Sequence, residues 1–354
     1  MDFGLFFLMQ RDPTWSEEQV YEAEVAQMVA AEDFGFHSVW IAEHHFSDYG
    51  VCPAPPVLAA HVAARTRRLR IGMGVSLLPL HDPLALAEQL AVLDVVSGGR
   101  LEVGIGRGGA ERDHRIFGGT PAEGRDRIAE GIELMRRCWS GEPFSFTGVS
   151  AAWRRCASRP RQRPHLPLYL AANSADTSVF AARLGLPTLS SFFVPLPELR
   201  RRQDAFRDEA PATGLSGAGG RAAGPVLGDA RRPRRDRRRG RVDAARGPFM
   251  AYQALLANRH AGDTAGPAPA TFDRSLLRLR PFEEYLDQRM AIFGGPDEVV
   301  DGLGRYAEAT GYRRIMLLIA LIGMPPAAAL RAMEVFAAKV APQLRSQFAG
   351  QPVS

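Results

Sequence analysis

Short apolar runs alternate with longer amphipathic stretches along most of this chain, and this alternation constrains the fold more than any other feature. The pattern is typical of repeated βα units, in which helices cover a parallel sheet. Seven runs are predicted strands: 3–8, 38–42, 70–77, 101–105, 168–172, 188–192 and 314–320. Nine stretches are predicted helices: 17–34, 55–66, 83–96, 124–139, 175–184, 197–208, 248–259, 296–309 and 326–344. The 354 residues fit one large α/β barrel or two smaller domains.

A closed parallel barrel needs eight strands, and the missing one should fall between the helices that end near Asp208 and begin near Pro248. The segment 217–242 in this gap has almost no β-branched or aromatic residues for a buried strand. One interpretation is a disordered basic insertion. The other is a local frame error between Leu227 and Asp243. One lysine among 44 basic residues indicates a GC-rich gene, and out-of-frame translation of GC-rich DNA tends to yield Arg, Gly, Ala and Pro. In both cases we expect no well-packed strand between Leu227 and Asp243.

The net charge of +5 is concentrated in one segment. Residues 229–243 contain eight arginines and three aspartates, so the rest of the chain is neutral and lacks the basic surface of a nucleic-acid-binding protein. No run approaches the roughly 20 apolar residues that cross a bilayer, and the first apolar run lacks the flanks of a signal peptide. Three widely spaced cysteines suggest neither disulfides nor a zinc site. We expect a cytoplasmic protein that binds neither membranes nor nucleic acid.

The strongest chemical signal is the run WIAEHHF, where the second predicted strand opens into a loop. In a parallel barrel this end of a strand lies on the active face. Histidine suits proton transfer near neutral pH, and an adjacent carboxylate can orient or charge it, so Glu43 and His44 are candidate catalytic residues. Neighbouring side chains point in different directions, so only one of His44 and His45 can face the site. Two ordinary loop histidines are the alternative, and without an HExxH pattern no metal site is predicted.

The run GIGRGG at 104–109 formally contains a GxGxxG motif after a strand. It lies about a hundred residues into the chain, and no acidic residue ends a following strand, so a Rossmann dinucleotide site is not indicated. We interpret the glycines, including Gly106, as permitting close backbone approach, and Arg107 as a bidentate phosphate ligand. The alternative is a simple turn with a solvated arginine.

A third segment, from Ala172 to Thr177, joins a strand end to the start of a helix. Asn173 or Ser174 can cap that helix, and its N-terminus with the hydroxyls of Ser174 and Thr177 would bind an anion. Ordinary capping explains Ser174 equally well. Together with Arg107, two neighbouring strand ends would converge on one phosphate.

These motifs resemble those of bacterial luciferase and its relatives. The resemblance comprises FGFHSVW leading into EHHF, LPLHDP at 78–83, LDVVSGGR at 93–100, GIGRGG, and Phe117-Gly118. It continues through Ala172-Asn173-Ser174, then 185–187, 294–296 and 310–311, and covers nearly the whole chain except 217–242. EHHF and the block from SGGR to GRG are specific together, although neither is sufficient alone.

The resemblance implies a luciferase-like (β/α)8 TIM barrel of the α/β class that binds reduced FMN at the carboxyl ends of its strands. It implies one domain over 1–345, with a mobile lid near 261–281 and a tail at 346–354. The stretch 142–167 lacks regular signals and is predicted to be a surface insertion before the fifth strand. The phosphate positions of the family are matched by Arg107, Ser174 and Thr177, while Asn173 replaces a glutamate.

Further site residues also follow from the resemblance. His44 matches the family's catalytic histidine beside the isoalloxazine ring. Gly74 and Val75 match a strand end that in this family often carries a cis non-proline peptide bond. Phe192 stands where luciferases have a ring-contacting tryptophan, and Gly106 replaces their reactive cysteine.

The function implied is that of an FMN-dependent monooxygenase. Reduced flavin would react with O2 to form a C4a-peroxyflavin that oxidises a small organic substrate, such as an aldehyde or a secondary metabolite. Glu43 would steer His44 in this reaction. Because no dinucleotide site is predicted, a separate flavin reductase should supply the reduced FMN, and a homodimer is expected.

Three alternatives remain. A deazaflavin could replace FMN and make the protein a hydride-transferring oxidoreductase, although EHHF and GRG favour FMN. The protein could be a non-catalytic flavin-binding barrel, although the presence of both His44 and Arg107 argues against this. It could also be an α/β barrel with an unrelated small substrate.

Overall fold

The computed structural model describes residues 1–148, 152–156, 166–190, 194–210, 221–224, 237–261 and 279–350. Eight parallel strands close into a barrel in which consecutive strands are neighbours and the last pairs with the first. These strands are β1 (Asp2–Phe7), β2 (Ser38–Ile41), β3 (Arg70–Leu77), β4 (Leu101–Gly106), β7 (Leu168–Ala171), β8 (Thr188–Ser190), β9 (Arg221–Gly224) and β10 (Arg314–Leu317). This is the α/β barrel architecture that the alternation of strands and helices predicts.

Helices follow the strands and cover the outside of the barrel. They are α1 (Glu17–Asp33), α2 (Pro55–Arg65), α3 (Pro83–Ser97), α4 (Glu111–Ile116), α5 (Gly124–Ser140), α6 (Ala175–Arg183), α7 (Leu196–Glu209), α8 (Arg237–Ala261), α9 (Phe282–Asp287), α10 (Pro296–Thr310), α11 (Pro326–Val335) and α12 (Ala341–Gln347). Side chains cap several of their first turns, for example Ser16 with Gln19 in a capping box on α1 and Asp82 on α3. No helix among the described residues is long and apolar enough to span a bilayer.

Large side chains fill the interior of the barrel. Trp40, Tyr169, Leu189 and Met316 form one buried cluster, in which the rings of Trp40 and Tyr169 meet edge to face at 5.8 Å. A Cβ atom at Gly72 would lie 2.1 Å from Trp40 Cδ2, so the absence of a side chain at this position makes room for the indole. The barrel is therefore a packed core, and Leu189 and Met316 form the floor of a cavity.

A second apolar cluster packs at the carboxyl ends of β1, β2 and β10. It contains Leu8 and Tyr49 from the loops after β1 and β2, and aromatic side chains from α8 and α9, among them Phe249, Tyr252 and Phe282. Helix α8 is thus anchored on the barrel through its second half.

The seventh strand corrects one expectation from the sequence. Composition indicates no buried strand within 217–242, yet β9 lies there and pairs with β8 through Ser190↔Ala222 and with β10 through Ile315↔Ala222. A parallel ladder uses backbone groups that almost every residue has, so a four-residue strand does not need β-branched side chains. Residues 225–236 lie outside the described part and 237–243 belong to α8, so the frame error remains a prediction.

Two other predicted segments are only partly described. The expected insertion at 142–167 contains an antiparallel pair outside the barrel, β5 (Phe144–Thr147) and β6 (Ala152–Cys156). Most of the predicted lid at 261–281 lies outside the described residues. The division into a domain over 1–345 and a tail at 346–354 likewise remains a prediction.

Candidate functional site

A cavity of about 270 Å³ opens at the carboxyl ends of the barrel strands. Eight of the eleven predicted site residues line it: Glu43, His44, Gly74, Val75, Gly106, Arg107, Asn173 and Thr177. Ala172 is fully buried at the end of β7, and Ser174 caps α6; within the described part of the chain both stand outside the lining. Phe192 lies outside the described residues.

One end of the cavity is positively charged. Arg107 follows β4, and Gly124 at the start of α5 packs against it, since a Cβ atom there would lie 2.5 Å from Arg107 Cδ. The next residue, Arg125, also lines the cavity, and its Nη2 is buried without a hydrogen-bond partner among the residues described. Burial lowers the pKa of Arg107, and the charge of Arg125 lowers it further. Two like charges beside an unsatisfied donor make this end complementary to an anion.

The N-terminus of α6 reaches the same end of the cavity. Ser174 Oγ accepts the backbone N–H of Thr177 at 3.2 Å and lies 2.9 Å from Thr177 Oγ1. Ser174 therefore caps the helix, as the ordinary-capping interpretation predicts. This capping positions the Thr177 hydroxyl at the cavity wall. The positive end of the helix dipole adds to the charge of the two arginines.

Another part of the cavity wall is formed by the glycine-containing strands β3 and β4. The Gly74–Val75 peptide bond is cis, as the resemblance leads us to expect. A Cβ atom at Gly106 would lie 2.4 Å from Val75 Cγ2, and one at Gly74 would lie 2.7 Å from Phe6 Cε2. Gly106 thus makes room for the side chain of Val75 and Gly74 for that of Phe6, so a side chain at either position would clash; we call this glycine-lined wall of β3 and β4 the slot.

A further part of the cavity, which we call the imidazole end, is built around a buried carboxylate. Glu43 Oε1 lies 3.0 Å from His45 Nε2 and 2.8 Å from His81 Nε2, while Oε2 accepts the backbone N–H of Leu77 at 3.1 Å. Burial raises the pKa of Glu43, but the hydrogen bonds from His45 and His81 outweigh it and the net pKa is lowered. Burial lowers the pKa of His81, yet Glu43 raises it overall.

His44 and His45 point in different directions, as expected for consecutive residues. His44 lines the cavity, whereas His45 is buried against Glu43 and against the ring of Phe117 at 4.9 Å. The expectation that Glu43 steers His44 needs correction, because the hydrogen bonds that the structure gives to its carboxylate go to the other two imidazoles and to β3. Glu43 thus joins the end of β2 to the imidazole of His81 and to the backbone of Leu77 at the end of β3.

Sequence reasoning missed three residues of this site. Arg125 is the second residue of a predicted helix, and its position directly after a glycine and close to the GRG block was the available signal. His81 lies in the LPLHDP run, which was used only for the resemblance. Tyr49 lines the cavity from the loop after β2, and nothing in the sequence marked it. Within the described residues, no group of acidic, histidine and cysteine side chains could hold a metal ion.

Comparison with known proteins identifies relatives of this chain. A family model for luciferase-like monooxygenases matches residues 1–313. The 4-hydroxyprotoasukamycin monooxygenase of Streptomyces nodosus subsp. asukaensis is 31% identical over 339 residues, which cover 91% of this chain and 86% of that protein. The uncharacterised protein y4wF of Sinorhizobium fredii is 35% identical over 209 residues. That match covers 58% of this chain and spans 60% of the relative's length.

Solved structures share the fold. Monooxygenase RslO1 from Streptomyces bottropensis superposes with a TM-score of 0.84 at 28% identity, covering 97% of this chain and 99% of that one. The oxygenating constituent of 3,6-diketocamphane monooxygenase from Pseudomonas putida, solved with FMN, has a TM-score of 0.78 at 20% identity. The match covers 97% of this chain and 98% of that one. An F420-dependent secondary alcohol dehydrogenase has a TM-score of 0.76 at 17% identity, and the match covers 97% of this chain and 99% of that one. The last two show the fold alone. These likenesses confirm the barrel type that the motifs predict.

Proposed function

Because this chain belongs to the luciferase-like monooxygenase family, we propose that it is a monooxygenase that binds reduced FMN in the barrel cavity. The observation that carries the proposal is that one cavity contains a two-arginine anion site, the glycine-lined slot, and an acid and imidazole group. Bound reduced FMN would supply the two electrons that split O2 between the substrate and water. The cavity residues fit this cofactor at three places.

The phosphate of FMN fits the positively charged end. Arg107 and Arg125 would each donate to its oxygens, and Thr177 would add a hydroxyl beside the N-terminus of α6. The buried Nη2 of Arg125 would gain an acceptor, and the phosphate would relieve the repulsion between the two guanidinium groups. Ser174 would keep the helix capped and Thr177 in place.

The isoalloxazine ring fits the slot. Gly74, Val75 and Gly106 line the cavity, and a flat ring would lie against this glycine-lined wall of β3 and β4. Apolar side chains, among them Leu8 and Met316, complete the walls and exclude water from the ring. We also propose that Ala172, Asn173 and Phe192, which are predicted cofactor-binding residues, contribute to the cofactor site.

The proton chemistry falls to His44. It lines the cavity at the end of β2, and its Nε2 is buried. From this position the imidazole would hold or release a proton as oxygen is transferred to the substrate. Glu43 would fix the strand end that carries it.

An anaerobic binding experiment tests the proposal. The protein is titrated with reduced FMN and, separately, with a reduced deazaflavin, and each complex is then mixed with O2. We expect reduced FMN to bind and to be oxidised with uptake of O2. Binding of the reduced deazaflavin, with no reaction of its complex with O2, would favour the dehydrogenase alternative, which the shared fold of the F420-dependent enzyme keeps open. Binding of neither cofactor would contradict both.

We further propose that the protein works with other molecules. A separate flavin reductase would supply reduced FMN, and the substrate would be a small organic molecule such as an aldehyde or a secondary metabolite. A homodimer is supported by Val92, Val95 and Val96, which are 49%, 54% and 66% exposed at helical spacing on α3. Sedimentation of the wild type and of Val95→Lys would test pairing through this face, since the charge should shift a dimer toward monomer.

A further inference from the structure

Tyr49 forms part of the cavity wall next to His44. Their ring centroids are 4.8 Å apart at an interplanar angle of 61°, an edge-to-face contact. A tight turn makes this contact possible, because Gly50 donates its backbone N–H to the carbonyl of Ser47 at 3.1 Å. The same turn brings Gly50 against the imidazole, where a Cβ atom would lie 2.4 Å from His44 Cδ2. His44 therefore contacts both Tyr49 and Gly50.

Tyr49 is also tied to helix α8. Its hydroxyl lies 3.2 Å from the hydroxyl of Tyr252, and the two rings stack with centroids 5.9 Å apart. Tyr252 is fully buried and packs beside Phe249, which in turn contacts Phe282 and Tyr285 of α9. The two tyrosines are 203 residues apart in sequence, so the hydrogen bond joins the loop after β2 to a helix much later in the chain.

We propose that Tyr49 is a positioning residue for His44, and that Tyr252 on α8 sets the orientation of Tyr49 through the hydroxyl pair. The geometry of the imidazole then depends on how α8 packs on the barrel. The hydrogen bond between the two hydroxyls favours the rotamer of Tyr49 that forms it. In that rotamer the phenol ring makes its edge-to-face contact with His44. The inference rests on the proposed function, in which His44 is the reacting group.

The test uses substitutions that remove only the hydroxyls. Tyr49→Phe and Tyr252→Phe keep both rings and the packing of the cluster, and the double variant tests whether the two act through one bond. Tyr285→Phe is the matched control, because its hydroxyl is buried in the same cluster but donates to Gln253 Oε1 at 3.0 Å. Thermal unfolding establishes that each variant is folded.

The first readout needs no cofactor. The imidazole of His44 is followed by NMR through a pH titration of the flavin-free protein and is assigned among the eight histidines with His44→Gln. Glu43, Arg107 and Arg125 also line the cavity and are unchanged in every variant. We expect Tyr49→Phe and Tyr252→Phe to shift the His44 resonances and its titration midpoint alike, with no further shift in the double variant. Tyr285→Phe should leave both unchanged.

The second readout is the rate constant for oxidation of bound reduced FMN by O2. Loss of one neutral hydrogen bond should change it by about two- to tenfold in either single variant, with the affinity for reduced FMN retained. Unshifted His44 resonances in Tyr252→Phe, or additive effects in the double variant, would overturn the proposal. Failure of the wild type to bind reduced FMN would contradict the proposed function instead, since the NMR coupling between Tyr252 and His44 is measured without it.

Discussion

The two ends of the cavity are built in opposite ways. At the arginine end, Arg107 and Arg125 bring like charges together, and Arg125 Nη2 lacks a partner among the described residues. At the imidazole end, Glu43 already accepts three hydrogen bonds from within the protein. The first end is completed only when an anion arrives, so it should supply binding energy. The second is organised in advance, so it should supply chemistry.

Removing His44 should have the largest effect and should separate chemistry from binding. A positioned proton donor or acceptor typically accelerates a reaction by about 10²–10⁴. His44→Ala should therefore lose this factor in turnover while its affinity for reduced FMN stays close to that of the wild type. Rapid mixing of the reduced complex with O2 and substrate measures the first, and anaerobic titration the second.

His45→Ala is the internal control for that experiment. His45 is buried against Glu43 and Phe117, so its loss should cost stability more than turnover. If His45→Ala were inactive and His44→Ala turned over at the wild-type rate, the two roles would have to be exchanged.

Removing an arginine should have the converse effect. A charge-assisted hydrogen bond contributes about 1.5–3 kcal/mol, so Arg107→Ala or Arg125→Ala should weaken binding of reduced FMN roughly ten- to a hundredfold. Riboflavin, which lacks the phosphate, is the matched ligand, and its weaker binding should respond little to either change. Unchanged FMN affinity in both variants would show that the phosphate binds elsewhere.

The slot gives a smaller effect. An added methyl group in Gly106→Ala would meet Val75 Cγ2 at 2.4 Å, and overpacking of this kind costs about 1–3 kcal/mol. We expect weaker binding of FMN and of riboflavin alike, measured by titration, and a lower free energy of unfolding. Gly247→Ala on α8 is the control, because a Cβ atom there meets nothing within 4 Å. Equal effects of the two changes would argue against the slot.

The sequence predicted those parts of the site that follow a strand directly. Glu43, His44, Arg107 and Asn173 each lie just beyond a strand that periodicity identifies, and the carboxyl ends of parallel strands necessarily meet. Contacts between side chains that are distant in sequence could not be predicted in this way. Glu43 and His81 are 38 residues apart and meet because β2 pairs with β3. Tyr49 and Tyr252 are 203 residues apart and meet because α8 packs on the barrel.

The strand β9 shows a different limit. Its predicted absence rested on side-chain composition, whereas the strand exists through backbone pairing with neighbours on both sides. Propensity describes how side chains pack on a pleated surface, and a short strand between two established ones depends on it little. The requirement for eight strands predicted a strand between Asp208 and Pro248, where β9 lies, but composition did not identify its residues.

The imidazole end should also be visible in the dependence of stability on pH. The pKa of Glu43 is lowered in the folded protein, so its contribution is present above its ordinary value of 4.5 and is lost as the pH falls through the folded value. The pKa of His81 is raised, so its contribution is fully present below its ordinary value of 6.5 and is lost as the pH rises through the folded value. The ion pair between Glu43 and His81 should therefore stabilise the protein most at a pH between these two ordinary pKa values.

The smallest predicted effect follows from this window. His81→Gln should lower the free energy of unfolding by on the order of 1 kcal/mol at pH 5.5, because a buried carboxylate loses a charged donor that is itself 28% exposed. At a pH above the raised folded pKa of His81 the same substitution should cost less, since the imidazole is then neutral in the wild type. Denaturant unfolding at both pH values measures the difference. His61→Gln, at an exposed position on α2, is the control. An equal cost of His81→Gln at both pH values would mean that the pair acts as a neutral hydrogen bond, and that the imidazole end is not held by charge.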